Sequence, residues 1–312
     1  MLVTGASGFI GSAVTRLLLE EGRSVSVLVR PGSSPRGLED VRDELRWIEA
    51  DLLRPDDIQR AIEELSPDAC IHCAWYVDAR DYVTSSANYA FVGGTVGLAV
   101  GLARAGCRRL VGVGTCYEYA PTQGARNEGD PTSPATPYAA AKLAVADFLP
   151  ELSTAGMSTA WARLFWLYGP YEKPSRLVPS VVLSLLAGRS AHITVGDQLR
   201  DFLHVDDVAA ALVRLTDSSL SGPVNVGSGS PVTVRHVAES IKWQIGGAGS
   251  LVVGARAAGH EEPEEIWADN SLLRSTGWKQ RLSLEDGLAR TIEWWRGELA
   301  RRASGADERP AR

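Results

Sequence analysis

Tyr138 and Lys142 are the two residues whose types and spacing best suit acid–base chemistry. They are four residues apart in a segment with a helical pattern, so they share one face of the predicted helix. An ammonium close to a phenol lowers the pKa of that phenol, which suits it to exchange protons with a substrate. Thr115 follows a predicted strand and offers a hydroxyl partner. We therefore predict that Thr115, Tyr138 and Lys142 form one catalytic set at the carboxyl ends of the strands, where open α/β sheets bind ligands.

A glycine-rich turn near the start of the chain has the spacing of a dinucleotide-binding motif. Its glycines follow a short apolar run and precede a helical pattern. Such a turn needs glycine for tight curvature and for close approach of the backbone to a pyrophosphate, and the helix N-terminus adds free N–H groups. The strand–turn–helix context favours this interpretation over an ordinary glycine-rich turn. We assign six residues of the turn to the cofactor: Gly5, Ser7, Gly8, Phe9, Ile10 and Gly11.

The residue at the end of the second predicted strand distinguishes NAD from NADP. NAD enzymes place Asp or Glu there to bind the ribose 2′-OH, whereas this chain has Arg30. A guanidinium pairs with the 2′-phosphate of NADP, which a carboxylate would repel. NADP(H) is therefore the preferred cofactor and NAD(H) the alternative, with an exposed strand-end arginine as the competing interpretation. The other predicted cofactor contacts are Ser33, Asp51 and Leu52 (the last two near the adenine), Ala74, Tyr138 and Lys142.

The elements that must position these residues alternate along the first half of the chain. Apolar runs predict strands at 2–4, 24–29, 46–49, 69–73, 109–113 and 158–164, and helical patterns predict helices at 10–21, 56–65, 90–105 and 136–152. Strands that alternate with helices form parallel βαβ units with right-handed crossovers, and nearly all-apolar strands are typical of a sheet covered on both faces. The predicted fold class is α/β, a Rossmann-type doubly wound parallel sheet with a smaller C-terminal α/β substrate lobe.

The predicted domain boundaries follow from where this alternation stops. After residue 168 the pattern loosens and the loops lengthen, which indicates a smaller lobe. We assign residues 1–168, joined by about 199–229, to the dinucleotide-binding domain. Residues 169–198 and 230–298 are assigned to the substrate-binding lobe. The polar segment 299–312 is predicted to be a disordered tail.

Several motifs in addition to the glycine turn and the Tyr138–Lys142 pair carry a family resemblance. They are Asp51-Leu52, Ile71-His-Cys-Ala74, Thr115, Arg163-Leu-Phe-Trp-Leu-Tyr-Gly-Pro170, Arg200-Asp-Phe-Leu-His-Val-Asp-Asp207 and Asn225-Val-Gly-Ser-Gly229. Over about residues 1–298 the chain resembles the extended short-chain dehydrogenases/reductases, a family of NAD(P)-dependent nucleotide-sugar epimerases, dehydratases and ketoreductases. The resemblance implies that the tyrosine exchanges a proton with a sugar hydroxyl or ketone. It also implies that the lysine holds the nicotinamide ribose and that the threonine hydrogen-bonds the reacting oxygen.

The resemblance further implies a nucleotide-diphosphate sugar as the substrate. Arg200 stands where the family holds a diphosphate, and Arg256 resembles a second such arginine. Two guanidiniums suit a diphosphate by bidentate pairing, although Arg200 could instead pair with Asp201 or Asp206. The aromatic residues near the site either line the sugar pocket or belong to the core. The residues assigned to the substrate are Trp75, Tyr117, Trp166, Arg176, Arg200 and Arg256.

Two departures from the family pattern bear on the reaction. The family's 4,6-dehydratases carry an Asp-Glu pair after the threonine, where this chain has Cys116-Tyr117, so dehydration is disfavoured. Trp166 replaces a common asparagine and makes the pocket more apolar, which suits a deoxysugar. We expect NADPH-dependent reduction of a nucleotide-linked 4-keto-6-deoxysugar, with Tyr138 as the proton donor. A nucleotide-sugar epimerase with tightly bound NAD(P) is the alternative, and the intact catalytic set counts against a non-catalytic NADP sensor.

Composition and charge exclude other classes of protein. The chain has 312 residues, of which 45% are hydrophobic, and its net charge of −6 argues against a nucleic-acid partner. No apolar stretch reaches the roughly 20 residues needed to span a bilayer, and no signal-peptide pattern is visible, so we expect no membrane partner and a cytoplasmic location. Cys70 and Cys73 lack a second ligand pair, so no metal is expected. In the resembling family the helices predicted at 90–105 and 136–152 pair across a dimer, which predicts a homodimer.

Overall fold

The computed structural model describes residues 1–255 and 264–304. The elements of its first half are β1 (Leu2–Thr4), α1 (Phe9–Glu20), β2 (Ser26–Val29), β3 (Arg46–Glu49), α2 (Pro55–Leu65), β4 (Ala69–His72), α3 (Ala87–Arg104), β5 (Arg109–Thr115), β6 (Gly124–Arg126), α4 (Pro137–Phe148) and β7 (Ser158–Leu164). The second half contains β8 (Trp166–Tyr168), α5 (Leu177–Leu186), β9 (Ala191–His192), β10 (Leu199–Arg200), β11 (Phe202–His204), α6 (Val205–Asp217), β12 (Gly222–Val226), β13 (Val232–Thr233), α7 (Val234–Ile245), β14 (Leu251–Val252), β15 (Glu265–Ala268), α8 (Ser271–Ser275) and α9 (Leu284–Ala303). Short 3₁₀ helices lie at Arg42–Glu44, Cys116–Glu118 and Leu149–Ala155.

A seven-stranded parallel sheet forms the centre of the molecule. Its order is β12-β7-β5-β4-β1-β2-β3, with helices on both faces. All seven residues of β5 and all four residues of β4 are buried, because helices cover both sides of these central strands. The predicted doubly wound fold is confirmed. Between β1 and β4 the strand order reverses, and the loops after these two strands therefore open a crevice for a ligand.

A smaller lobe stands at the carboxyl ends of this sheet. Its four-stranded sheet has the order β13-β10-β15-β6, and α5, α7 and α9 enclose a separate apolar core. Two of these strands, β6 and β10, come from chain segments that the sequence assigned to the dinucleotide-binding domain. The four-stranded sheet therefore includes strands from both predicted chain divisions, 1–168 with about 199–229 and 169–198 with 230–298.

Two predicted boundaries differ from the structure for local reasons. The helix expected at 136–152 is α-helical only to Phe148 and then tightens into 3₁₀ geometry, since Pro150 has no N–H to continue the ladder. The segment expected to be a disordered tail from residue 299 is helical through Ala303. Residues 299–303 continue α9, where Glu298 forms ion pairs with Arg301 and Arg302 one turn on. Residues 305–312 lie outside the described residues.

Within residues 1–255 and 264–304, none of the helices combines the length and apolar character needed to cross a membrane. In the same ranges, His, Cys, Asp and Glu side chains do not gather in threes around a possible metal position. Cys70 lies in buried β4, and burial raises the pKa of its thiol, as expected of a packing residue.

Candidate active site

The turn between β1 and α1 is built around close backbone approach. Gly5 has φ +67°, and a Cβ on it would lie 2.7 Å from the backbone nitrogen of Ala74. A Cβ on Gly11 would lie 2.2 Å from the carbonyl oxygen of Gly5, so only glycine lets the helix fold back onto the turn. Gly8 caps α1 without a side-chain hydrogen bond, and no acidic residue stands in the first helical turn. The open N–H groups and the positive helix end fit a pyrophosphate, and the predicted residues 5–11 and Ala74 meet here.

A second opening lies where β2 and β3 end. Its volume is about 550 Å³, and its lining consists of Arg30, Pro31, Gly32, Ser33, Asp51, Arg54 and Asp57. Three of the predicted cofactor residues, Arg30, Ser33 and Asp51, are therefore brought together. Leu52, the other residue predicted near the adenine, does not line this opening. It is 4% exposed and packs in the core, with its carbonyl against Gly94 of α3.

The carboxylates that line this opening have hydrogen-bond donors, whereas its guanidiniums do not have acceptors among the described residues. Asp51 accepts a hydrogen bond from the backbone N–H of Leu53, and Asp57 pairs with Arg60. The exposed guanidiniums of Arg30 and Arg54, by contrast, form no hydrogen bond or salt bridge with any residue that the structure describes. The opening therefore offers two unpaired cations beside carboxylates that already have donors, which suits a phosphate better than a ribose hydroxyl.

The three predicted catalytic residues converge from two elements. Thr115 ends β5 and is buried, and its hydroxyl accepts a hydrogen bond from the backbone N–H of Tyr117 at 3.3 Å. Tyr138 and Lys142 stand one turn apart near the start of α4, which Thr136 caps by accepting from Ala139 N–H. The short helix that follows Thr115 packs against α4. The end of β5 and the start of α4 therefore lie together, with Lys142 bound to the Val113 carbonyl of β5; that the three side chains form one catalytic set stays a prediction.

Lys142 occupies an enclosed aromatic site. Its Nζ donates to the carbonyl of Val113 at 2.6 Å and lies 3.8 Å from the ring centroid of Trp75. The side chain is 3% exposed, and burial lowers the pKa of its ammonium to about 7. Trp75 was expected in the sugar pocket, but it is buried in the core, where its indole donates to Asn88 at 2.8 Å. Trp75 therefore contacts the Lys142 ammonium from the core side and does not line the predicted sugar pocket.

The pKa of the Tyr138 phenol shifts in the direction opposite to the one expected from the sequence. Desolvation raises its pKa above the usual value, and the neighbouring Tyr82, Glu118 and Cys116 add to the rise, whereas Arg176 opposes it. A pKa lowered by Lys142 was expected and is not what this arrangement produces, because the ammonium is turned to Val113 and Trp75. The phenol therefore holds its proton at neutral pH, which is the state that a proton donor needs.

Aromatic and cationic side chains continue from Tyr138 toward the second lobe. Tyr82 meets the Tyr138 ring edge-on at 5.1 Å, and the Arg176 guanidinium lies 4.9 Å from the Tyr82 centroid. Tyr117 meets Trp166 edge-on at 5.8 Å, and Arg200 lies 4.7 Å from the Trp166 centroid. Four of the predicted substrate residues thus fall into two groups. Arg176 reaches Tyr138 through Tyr82, and Tyr117, Trp166 and Arg200 contact one another.

Two predicted substrate residues remain, the arginines expected to bind a diphosphate. Arg256 lies outside the described residues. Arg200 is 2% exposed and donates to the carbonyls of Leu199 and Glu264. Asp201, the acid expected to compete for it, is held by the backbone N–H groups of Ser228, Gly229 and Ala268.

Three residues of the site were missed by the sequence interpretation. Arg54 reaches the cofactor opening only because β3 pairs with β2. Tyr82 lies in a loop without a recognisable motif, and its position depends on Asn88, which donates to the Tyr82 carbonyl at 2.7 Å. Glu118 did leave a signal, since Thr115-x-x-Glu118 has capping-box spacing, and both hydrogen bonds of that box are present.

Comparison with known proteins agrees with this geometry. Residues 1–227 match the NAD dependent epimerase/dehydratase family. A UDP-glucose 4-epimerase of Mycolicibacterium smegmatis is 30% identical over 95% of this chain and 98% of its own length. A dTDP-glucose 4,6-dehydratase of Streptomyces niveus is 29% identical over 96% of this chain and 94% of its own.

Solved structures share the whole fold. The Thermus thermophilus UDP-glucose 4-epimerase, in complex with NAD, superposes with a TM-score of 0.84 at 26% identity, covering 95% of this chain and 98% of that one. MoeE5, in complex with UDP-glucuronic acid and NAD, gives a TM-score of 0.83 at 29% identity, covering 95% of this chain and 99% of its own.

Proposed function

Because the chain belongs to the NAD-dependent epimerase/dehydratase family, we propose that it is an NADPH-dependent ketoreductase acting on a nucleotide-linked 4-keto-6-deoxysugar. When bound, the reduced nicotinamide supplies the hydride for the ketone carbon. Tyr138 would donate the proton to the ketone oxygen, Thr115 would hydrogen-bond that oxygen, and Lys142 would hold the nicotinamide ribose. The donor role rests on the position of Tyr138 near the start of α4, one turn before Lys142 and on the helix that packs against the segment after Thr115. Its raised pKa keeps the phenol protonated at neutral pH but also makes it a weaker acid.

The observation that carries the reductase proposal is a pair of exposed guanidiniums, Arg30 after β2 and Arg54 after β3, that form no hydrogen bond or salt bridge with any described residue. Arg30 and Arg54 line one opening with Ser33, while the carboxylates beside them already accept hydrogen bonds. A 2′-phosphate would pair with both cations. NADPH is the usual cellular hydride donor for net reduction, so an NADP-type opening favours a reductase.

The substrate class rests on the second lobe. Arg176 and Arg200 would bind a diphosphate, and the stacked rings of Tyr117 and Trp166 would face the sugar. Aromatic walls suit a sugar that lacks a hydroxyl at C6.

Dehydration is disfavoured by the side chains that follow Thr115. The two positions that hold acids in the family's dehydratases are Cys116 and Tyr117. The next residue, Glu118, is an acid, but it is fully buried and bound to Arg163 and Trp161, away from any substrate.

A nucleotide-sugar epimerase is the second candidate, favoured by the relatives. The Mycolicibacterium and Thermus proteins are UDP-glucose 4-epimerases, and the latter was solved with NAD. An epimerase oxidises and re-reduces one carbon, so the same three catalytic residues would serve it, and its cofactor would stay bound through purification.

Cofactor oxidation against a panel of nucleotide-linked 4-keto-6-deoxysugars tests the choice. We expect stoichiometric consumption of NADPH with at least one member of the panel and none with the corresponding 4-hydroxy sugars. Interconversion of 4-hydroxy epimers without added cofactor, by protein that carries nicotinamide through a column, would contradict the reductase and support the epimerase.

A homodimer is also proposed, through α3 and α4. These helices pack side by side, and their outer faces carry Tyr89, which is 64% exposed, and the small residues Ala140 and Ala144. Small residues permit close packing of a second helix pair. Light scattering at micromolar concentration should give the mass of two chains, and Tyr89→Asp should shift it toward one. A monomeric mass for the wild type would contradict the dimer.

A further inference from the structure

Glu118 is a fully buried carboxylate directly behind the candidate active site. Its Oε1 accepts hydrogen bonds from the backbone N–H of Thr115 and from the indole of Trp161, both at 2.9 Å. Its Oε2 accepts from Nε of Arg163 at 2.8 Å. All three bonds are accepted and one comes from a cation, which favours the ionised form and reduces, without cancelling, the rise in pKa that burial gives this carboxyl.

The Glu118 carboxylate and the Lys142 ammonium hydrogen-bond to adjacent peptide groups at the end of β5. Lys142 Nζ donates to the carbonyl of Val113, and Glu118 accepts from the N–H of Thr115, with Gly114 between them. A Cβ on Gly114 would lie 2.5 Å from Glu118 Oε1 and 2.2 Å from Trp161 Nε1, so glycine is what admits this arrangement. Trp161 is close to both charged groups, since its indole donates to Glu118 and its ring centroid is 5.6 Å from Lys142 Nζ.

The groups around Lys142 leave few sources of negative charge. His72 is held between the hydroxyls of Thr4 and Thr95, and burial lowers its pKa to about 3, so it is neutral. Burial raises the pKa of the Cys73 thiol to about 12, so it is neutral as well. Against the burial that lowers the pKa of Lys142, Glu118 is the larger opposing influence.

Glu118 also acts on the catalytic phenol. Together with Tyr82 and Cys116 it adds to the raised pKa of Tyr138, and Arg176 acts in the opposite direction. One buried negative charge thus favours the protonated form of both side chains.

We propose that Glu118 is a positioning residue that fixes the Thr115 peptide and supplies the buried counter-charge for the Lys142 ammonium. The inference deepens the proposed function, because it rests on the roles given there to Thr115 and Lys142. Through Lys142, Glu118 maintains the cation that the nicotinamide ribose requires, although it touches neither substrate nor cofactor.

The test is a direct titration of Lys142. The chain has four lysines, so ¹³C labelling at lysine Cε gives a simple spectrum in which Lys142→Met assigns the signal. In Glu118→Gln, which keeps the shape and an acceptor oxygen, the Lys142 signal should titrate about one pH unit lower than in the wild type. If Glu118 serves only to tie Thr115 to β7, the titration will be unchanged, and the counter-charge proposal is overturned.

Two further variants make the result specific. Glu128→Gln removes another partly buried carboxylate, one that accepts from the Asn225 N–H and does not act on Lys142, and it should leave the titration unchanged. Should Glu118→Gln unfold because Arg163 is left unpaired, the double variant Glu118→Gln/Arg163→Met removes both charges. The Lys142 signal should then still titrate lower than in the wild type, but by less than in Glu118→Gln, because loss of the Arg163 cation acts in the opposite direction. The measurement needs no substrate. A shifted titration in a protein that reduces no tested sugar therefore supports this proposal and contradicts only the proposed function.

Discussion

Tyr138→Phe should abolish turnover while leaving the fold intact. The change removes one hydroxyl, and loss of a general acid typically lowers the rate by on the order of 10² to 10⁴-fold. The ring contact with Tyr82 and the hydrogen bond from the Tyr138 backbone N–H to the Val83 carbonyl are unaffected, so the thermal midpoint should stay close to that of the wild type. The measurement is kcat/KM with the sugar that the panel identifies, alongside thermal unfolding.

A matched control is available in the same aromatic pair. Tyr82→Phe also deletes a phenol hydroxyl, and among the described residues that hydroxyl accepts one long, 3.5 Å hydrogen bond, from Arg176. We expect it to reduce kcat/KM by less than about tenfold, because a hydrogen bond as long as 3.5 Å is weak even with a charged donor. A Tyr138→Phe enzyme that keeps more than a tenth of the wild-type rate would remove Tyr138 from the role of proton donor.

Arg30→Asp should exchange the cofactor preference. The substitution deletes a charge-assisted bond to the 2′-phosphate and adds a repulsive carboxylate at the same position. Hydrogen bonds to charged groups contribute roughly 1.5 to 3 kcal/mol, so the ratio of NADPH to NADH affinity should fall by about ten- to a hundredfold or more. NADH binding should be equal or improved, since an acid at this position accepts from the ribose 2′-OH. Titration of both cofactors against both proteins gives the ratio.

Two further variants, one inside the opening and one outside it, make the Arg30 experiment specific. Arg54→Asp should also lower the ratio of NADPH to NADH affinity, because Arg54 lines the same opening. In the single Arg30→Asp variant, Arg54 and Ser33 remain and will reduce the size of the change. Arg104→Asp, at the exposed end of α3, changes the same charge outside the opening and should leave the ratio unaltered. An Arg30→Asp protein with an unchanged ratio would mean that Arg30 only faces water, and the main support for a reductase would be lost.

Local sequence patterns determined the fold class and the core of the site. The spacing of Gly5, Gly8 and Gly11 between an apolar run and a helix specifies one turn, because the close approaches there leave no space for a Cβ. The four-residue spacing of Tyr138 and Lys142 specifies a shared helical face, which is a property of the helix itself. Alternating strands and helices specify parallel units whatever the rest of the chain does. Each of these signals depends only on neighbours along the chain.

Other properties of the site were decided by tertiary packing. Arg54 reaches the opening beside Arg30 only because β3 pairs with β2, and Arg176 approaches Tyr138 only through Tyr82. Trp75, an aromatic next to a predicted site, proved to be a core residue because Asn88 holds its indole inside. The pKa of Tyr138 is raised where the sequence suggested a lowered value. Spacing along a helix fixes which groups are near one another, but burial and the nearest charges fix which proton each group keeps, and those depend on the whole fold.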